Sequence, residues 1–354
     1  MPKTHSICVL PGDGIGEEVI DCARRVLDAL TAAGGPGFSF ETHPAGHGTF
    51  LETGHAMPES SMAASKAADA VLVGAMDVAQ IPPQGGDPLG DLRIGLEVAA
   101  SVRPSRVIPG VVSPADDIDC LVVREVTEGL YSRDEYMHDE DTAYAVRVIT
   151  REASTRAARM AFEQARMRKA ARAASGSTKP TRVTSVHKVG VLKLSDGLFL
   201  EVCAGVAQDY PDIEYETRNV DACALELVRE PGHYDVILAT NVFGDILSDV
   251  AAGLAAGLGL APSACIGERW AYFEPVHGTA PDIAGRGIAN PCATILTAAM
   301  MLRYLGEDDS ADAVDQAVYG VLARGDVRTG DLGGTATSTE MTDAIVAALD
   351  AAAQ

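Results

Sequence analysis

Val9–Val19, "VLPGDGIGEEV", places an apolar strand, a three-glycine turn and a helix in line, and the spacing of its glycines decides between two α/β folds. Ile7 to Leu10 is an apolar run of strand length. From Glu17 onward Val19, Ile20, Ala23, Val26, Leu27 and Leu30 recur on one helix face. A dinucleotide-binding turn of the Rossmann kind needs G-x-G-x-x-G, with a carboxylate about 20 residues further on for the ribose. Here Gly12, Gly14 and Gly16 read G-x-G-x-G, Glu17 stands where the third glycine belongs, and the candidate acid Glu41 falls inside the next strand-like run, "FSFETH". The segment reads as a tight strand-to-helix turn.

The same alternation continues along the chain. "FSFET", a helix near 59–68, "AVLVGA", "DCLVVREV", a helix over about 151–174, "VTSVHKVGVL", "YDVILAT" and the helix "DILSDVAAGLAAG" predict an α/β protein with a mainly parallel sheet. The polar stretch "YSRDEYMHDEDTAYAVRVIT" reads as an extended excursion or hairpin arm, and a final helix is expected over about 339–353. "RMRKAARAASGSTKPTR" reads as a solvated helix end and loop.

The 354 residues carry a net charge of −22, with 47% hydrophobic and 22% charged residues. Such an acidic surface repels nucleic acid and anionic membranes, so neither is expected as a partner. An anionic ligand must then be met by a local group of arginines. Seven scattered cysteines without a C-x-x-C pair point to a reducing compartment, without a disulfide framework or zinc site. With no signal-peptide pattern at Met1 and no apolar run of spanning length, the expected location is cytoplasmic.

Three constellations carry chemistry. Arg93 and Arg103 lie ten apart, and Arg124 closes the apolar strand "LVV", where a charge is costly unless paired or at a strand end. Strand ends of α/β sheets are where ligands bind, and converging guanidinium groups would clamp a di- or tricarboxylate. Asp245 and Asp249 stand i and i+4 on one face of a helix expected to be well buried, with Asp221 a plausible third oxygen. Buried paired carboxylates suit a hard cation, Mg2+ or Mn2+, beside an α-hydroxy carboxylate. "FEPVHGTAPDIAGRGIANP", Phe273–Pro291, is longer than a turn needs, and Asp282 in it can accept hydrogen bonds from an adenosine ribose while repelling a 2'-phosphate.

Together, "LPGDGIG", the three arginines, "GLY", "HK", "TNVFGDILSD" and "FEPVHGTAPDIAGRGIANP" resemble the β-decarboxylating dehydrogenases, the family of isocitrate, homoisocitrate, 3-isopropylmalate and tartrate dehydrogenases, nearly end to end. The resemblance implies an isopropylmalate-dehydrogenase-like two-domain fold that is not a Rossmann fold. Residues 1–99 and 256–354 would form the larger domain and 100–255 the smaller. It implies oxidation of a 3-substituted malate at C2 with NAD, then loss of the 3-carboxylate as CO2. Arg93, Arg103, Arg124 and Asp221 match substrate contacts, and Asp221, Asp245 and Asp249 match ligands of Mg2+ or Mn2+. Lys188 matches the base at the C2 hydroxyl, and Tyr131 the acid at C3. Deprotonation of both is expected to be eased by neighbouring cations. His277, Gly278, Thr279, Ala280, Pro281, Asp282, Ile283 and Asn290 match the cofactor's adenosine site. The partner implied is a second copy of the chain, as a homodimer or tetramer, with Lys188 and Asp221 entering from that copy and the arm at 132–150 as a clasp.

Where the family has Asn two residues after the lysine, this chain has Gly190. Asp282 and Ile283 replace the Lys-Tyr of the NADP-using isocitrate enzymes, which favours NAD. "QGGDPLGDLR" before Arg93 matches neither the serine and asparagine of isocitrate enzymes nor the leucines of isopropylmalate enzymes. Leu89 is its apolar contact, and Asp87 is expected to repel an acidic substituent. "HKVGVLKLSDGLFLE" lies closer to the isocitrate and homoisocitrate branch, so the C3 substituent stays open. An unusual substrate and a non-catalytic regulatory paralogue are the alternatives.

Overall fold

A computed structural model describes residues 3–177 and 179–352; Thr178 of the basic segment and the last residue of the expected C-terminal helix lie outside the described residues. The strands are β1 (Thr4–Gly12), β2 (Gly37–Thr42), β3 (Ala70–Ala75), β4 (Val98–Arg106), β5 (Asp119–Arg124), β6 (Glu135–Asp139), β7 (Thr142–Ala145), β8 (Arg182–His187), β9 (Glu214–Asn219), β10 (Val236–Ala239), β11 (Pro262–Gly267) and β12 (Ala271–Pro275). The chain forms two compact units. One comprises residues 1–97, 108–113 and 256–354, the other 98–107 and 114–255.

In the first unit the strands run β2-β1-β3-β12-β11, parallel except for the antiparallel pair β11/β12. The helix Gly16–Ala32 buries Val19, Ile20, Ala23, Val26, Leu27 and Leu30, as their spacing predicts, the last five against Ile7, Val9, Leu72 and Phe273 and Val19 beside Ile15 and Ala289. Residues Gly12 and Gly14 take φ of +76° and +60°, open to glycine at little cost. Gly16 answers a different need, because a Cβ there would lie 2.1 Å from the Pro11 carbonyl oxygen. The close helix-to-strand approach expected of a third glycine is thus made one residue earlier than the Rossmann pattern puts it.

Strands of the second unit run β4-β5-β10-β8-β9, with β4/β5 antiparallel and the others parallel. The core gathers Val122, Val186, Tyr234, Ile237 and Leu247. Strands β6 and β7 pair as a separate antiparallel hairpin, the expected arm, with Tyr136 and Tyr144 stacked across it. The helix Arg151–Ser175 starts where Thr150 accepts the Ala153 N–H and stops at Gly176, φ +73°. Its basic segment is mostly exposed, as the solvated reading expects, and departs from it at two arginines. Arg168 and Arg172 both reach Asp235, which is 1% exposed, and both also pair with Asp119. Arg166 and Lys169 pair with Asp212, and Arg182 with Glu214. The seven cysteines are buried and outside any disulfide, and among the described residues no helix is long and apolar enough to cross a membrane.

Candidate active site

The glycine turn is tied down within its own unit. Asp13 N–H donates to Ala75 O, Ile15 N–H to Thr279 O at 2.9 Å, and Gly16 N–H to Asp13 O. The Asp13 carboxylate in turn accepts the N–H groups of His47, Gly48 and Asp77, each at 2.8 Å. With these three N–H groups engaged and a carboxylate seated beside them, the turn is a poor cradle for phosphates. What the turn does is hold Thr279, and with it the loop that follows β12.

That loop packs Ala280 and Ile283 on Ile15 and Val19, and its Gly287 N–H donates to Glu18. Ala280 sits at φ +39°, a region that costs a non-glycine residue roughly 1–2 kcal/mol. Asn290, buried, accepts the Cys292 N–H and donates to Asp331, a partner that the sequence reading did not single out. His277 Nδ1 faces the Gly278 carbonyl at 3.0 Å, so Nδ1 carries the proton and Nε2 is an acceptor. Nε2 is buried without a partner among the described residues, and burial holds the imidazole below its ordinary value, hence neutral. A bare acceptor and an exposed Asp282 suit hydroxyl donors, which is the chemistry of a ribose. Gly278 and Pro281 are also exposed.

Arg93, also in this unit, is buried and donates through Nε to Tyr272 Oη at 3.2 Å. Asp87 precedes Arg93 in the same segment. It is the N-cap residue of the helix Pro88–Gly95, and its Oδ2 lies 2.3 Å from where a Cβ on Gly90 would be.

The second unit assembles the acid and arginine constellations. Arg124, at the end of β5 and 1% exposed, donates from Nε and Nη2 to Asn241 Oδ1 at 3.1 and 2.7 Å and from Nη1 to Asp245. Arg103 on β4 donates to Ser248 Oγ at 2.9 Å and to Asp245 at 3.3 Å, with Asp249 3.9 Å away. Tyr131 donates its hydroxyl to Asp245 Oδ2 at 2.6 Å and lies under the Arg124 guanidinium. Gly244 makes this possible, since a Cβ there would come within 2.8 Å of the Arg124 side chain. The helix Asn241–Ala255 carries these groups on a partly open face. The side chains of Asp245 and Asp249 are 35% and 55% exposed, and Ile246 is 59% exposed, so the expectation of a well-buried helix is corrected.

Electrostatics correct one further expectation. Burial and donation to Asp245 push the Tyr131 phenol up despite Arg124. Lys188 Nζ pairs with Asp221. Burial also pushes the Asp249 carboxyl up, against Arg103. Asp245 and Asp249 are hard oxygen donors that fit Mg2+ or Mn2+. Among the described residues, however, no three His, Cys, Asp or Glu gather as a cation site in one chain. Asn241, which holds Arg124 and donates to the Glu128 carbonyl, went unread in the sequence because an amide beside a strand end has no periodic signature.

The isocitrate/isopropylmalate dehydrogenase family model matches residues 6–345. The chain belongs to the isocitrate/isopropylmalate dehydrogenase family. Members of this family are oxidative decarboxylating dehydrogenases. The chain is 46% identical over 341 residues to the 3-isopropylmalate/3-methylmalate dehydrogenase of Methanocaldococcus jannaschii, covering 96% of this chain and 98% of that protein. It is also 46% identical over 349 residues to the isocitrate/homoisocitrate dehydrogenase of Thermus thermophilus, covering 98% of each. The crystal structure of isocitrate dehydrogenase from Methylococcus capsulatus superposes with a TM-score of 0.89 at 38% identity, over 98% of this chain and 99% of that one. Isocitrate/isopropylmalate dehydrogenase folds are α/β with a mixed, mostly parallel sheet, as both units here are.

Proposed function

We propose that the protein is an NAD-dependent, divalent-metal-dependent oxidative decarboxylase of a 3-substituted malate, of the 3-isopropylmalate or the isocitrate/homoisocitrate type. The observation that carries this reading is the cluster of Arg103, Arg124, Tyr131 and Asp245, two buried guanidinium groups meeting a carboxylate and a phenol in an otherwise strongly acidic chain. Arg103 and Arg124 hold substrate carboxylates, with Arg93 the third arginine by family resemblance. Asp245 and Asp249, with Asp221 of a second copy, hold Mg2+ or Mn2+. A bound NAD supplies hydride acceptance from C2, and a bound cation the withdrawal of charge from the substrate's oxygens. Lys188, also from the second copy, takes the proton of the C2 hydroxyl; Tyr131 gives its proton to C3 once CO2 has left. The raised phenol of Tyr131 suits an acid that keeps its proton until that step.

His277 to Ile283 and Asn290 hold the adenosine. Asp282 accepts from the ribose hydroxyls and opposes a 2'-phosphate by charge. Self-association is supported by apolar side chains that one chain leaves open: Leu225 and Val228 on the helix Val220–Arg229, Ile246 on its neighbour, and Tyr136, Met137 and Tyr144 on the arm. The working form is a homodimer in the cytoplasm. Gly190 has no positive φ, and a Cβ on it would meet nothing within 4 Å, so the glycine answers no backbone need and leaves room beside Lys188.

The test is NADH formation with Mg2+ against isocitrate, homoisocitrate, 3-isopropylmalate, tartrate and malate. Turnover of a 3-substituted malate is expected. Silence across the panel, from an intact dimer that binds no NAD, overturns the reading.

A further inference from the structure

Lys188 follows β8 in the turn that leads into the helix Ser195–Ala207. Its backbone N–H donates to Asp196 Oδ2 at 2.5 Å, and its carbonyl accepts the N–H groups of Val191 and Leu192. Asp196 is fully buried in the first turn of that helix. Its second oxygen, Oδ1, lies 2.7 Å from Arg147 Nη1 in an ion pair. The N–H groups of Arg147 go to Ser195 Oγ and Thr240 Oγ1, each at 2.9 Å, and its guanidinium rests 5.5 Å from the centre of the Phe243 ring.

One buried ion pair therefore joins three segments. Arg147 closes the arm just beyond β7, where Val148 bridges to Gly129. Thr240 precedes the helix that carries Asp245 and Asp249. Asp196 holds the backbone of Lys188. A buried carboxylate loses its hydration, and an apolar residue would fill the same volume without that loss. What an apolar residue cannot do is accept the Lys188 N–H on one side and meet the arm's guanidinium on the other.

We propose that Asp196 is the positioning residue for Lys188, and that Arg147 makes the placement of Lys188 depend on how the 135–145 arm is seated. The inference rests on the reading of Lys188 as the base. A lysine Nζ rides on a flexible four-carbon stem, so the point where its backbone is anchored decides the volume it can sweep. A misplacement of about 1 Å at a reacting group costs roughly 100-fold in rate. Asp196 touches no substrate and acts only through Lys188.

The experiment compares the full-length protein with its Asp196→Asn, Arg147→Lys, Lys188→Ala and combined Asp196→Asn/Lys188→Ala variants, using isocitrate, homoisocitrate and 3-isopropylmalate with NAD and Mg2+. Asp196→Asn is expected to lower kcat about 10- to 100-fold. KM for the malate and for NAD should stay within roughly threefold, and Asp196→Asn should add no loss on the Lys188→Ala background. Arg147→Lys keeps the charge but not the fork, and should give a smaller fall in kcat with the same unchanged KM values. A merely structural role would raise both KM values and add its full loss to that of Lys188→Ala. A kcat of Asp196→Asn within twofold of wild type, or full additivity, overturns the inference while leaving Lys188 as the base. Wild-type turnover by Lys188→Ala overturns the assignment of the base and this inference with it. If Lys188→Ala leaves no measurable turnover, the kcat-against-KM split decides alone, and if Asp196→Asn does not fold, Arg147→Lys carries the same comparison.

Discussion

Asp235→Asn removes the charge on which two helix arginines converge. Asp235 is 1% exposed, with Arg168 Nε 2.6 Å and Arg172 Nη2 2.7 Å away, and it also accepts the Arg182 N–H at 3.2 Å. Breaking a buried pair by removing one partner costs about 3–5 kcal/mol, because the other charge is left buried and uncompensated. Here both arginines keep Asp119, and their side chains are 19% and 11% exposed, which places the expected cost lower, at about 2–4 kcal/mol. The second unit has 152 residues, 10 from 98–107 and 142 from 114–255. At about 2–4 °C per kcal/mol for a unit of that size, the transition should fall by roughly 4–16 °C. Scanning calorimetry of the full chain measures it, with Lys169→Gln as the control. That residue's pair with Asp212 is close to half exposed, and its loss should cost no more than about 1 kcal/mol. A shift for Asp235→Asn of less than about 2 °C, equal to that of the control, would refute the buried network and return the basic segment to solvent.

Gly14→Ala places a Cβ 2.2 Å from the Thr279 carbonyl at φ +60° and should push the following loop off the turn; the expected result is a raised KM for NAD with kcat at saturating NAD little changed, measured by initial rates. Asp119 desolvates on folding, but Arg168 and its hydrogen bonds outweigh that and hold the carboxyl below its ordinary 3.8. A depressed carboxyl stabilises above its unfolded value and loses that contribution as pH falls through the folded one, so urea midpoints should decline below about pH 4 and Asp119→Asn should flatten that limb. Asp282→Lys with Ile283→Tyr should raise the ratio of kcat/KM for NADP over NAD, and an unchanged ratio would mean that the adenosine site lies elsewhere.

Much of the molecule follows from local pattern. The glycine spacing of Val9–Val19 excludes a Rossmann turn, strand and helix alternation predicts the α/β class, and the i, i+4 spacing of Asp245 and Asp249 puts both carboxylates on one helix face. Each depends on neighbours a few residues apart, where backbone geometry alone dictates who shares a face. Family motifs extend this to Tyr131 and Lys188, whose types and spacing are read in order along the chain.

Partnerships across long separations were decided only in three dimensions. Asp13 takes the N–H groups of His47, Gly48 and Asp77, Asn241 orients Arg124 from 117 residues away, and Asp196 ties Lys188 to Arg147. The run "RMRKAARAASGSTKPTR" has the composition of a solvated helix end, yet Asp119 and Asp235, some 50 to 70 residues from it, draw Arg168 and Arg172 inward. Tyr131 beside Arg124 looked eased toward deprotonation until the fold put Asp245 at its hydroxyl. A side chain's charge state and role depend on what surrounds it, and for a buried polar group that surrounding comes from segments that no periodicity connects.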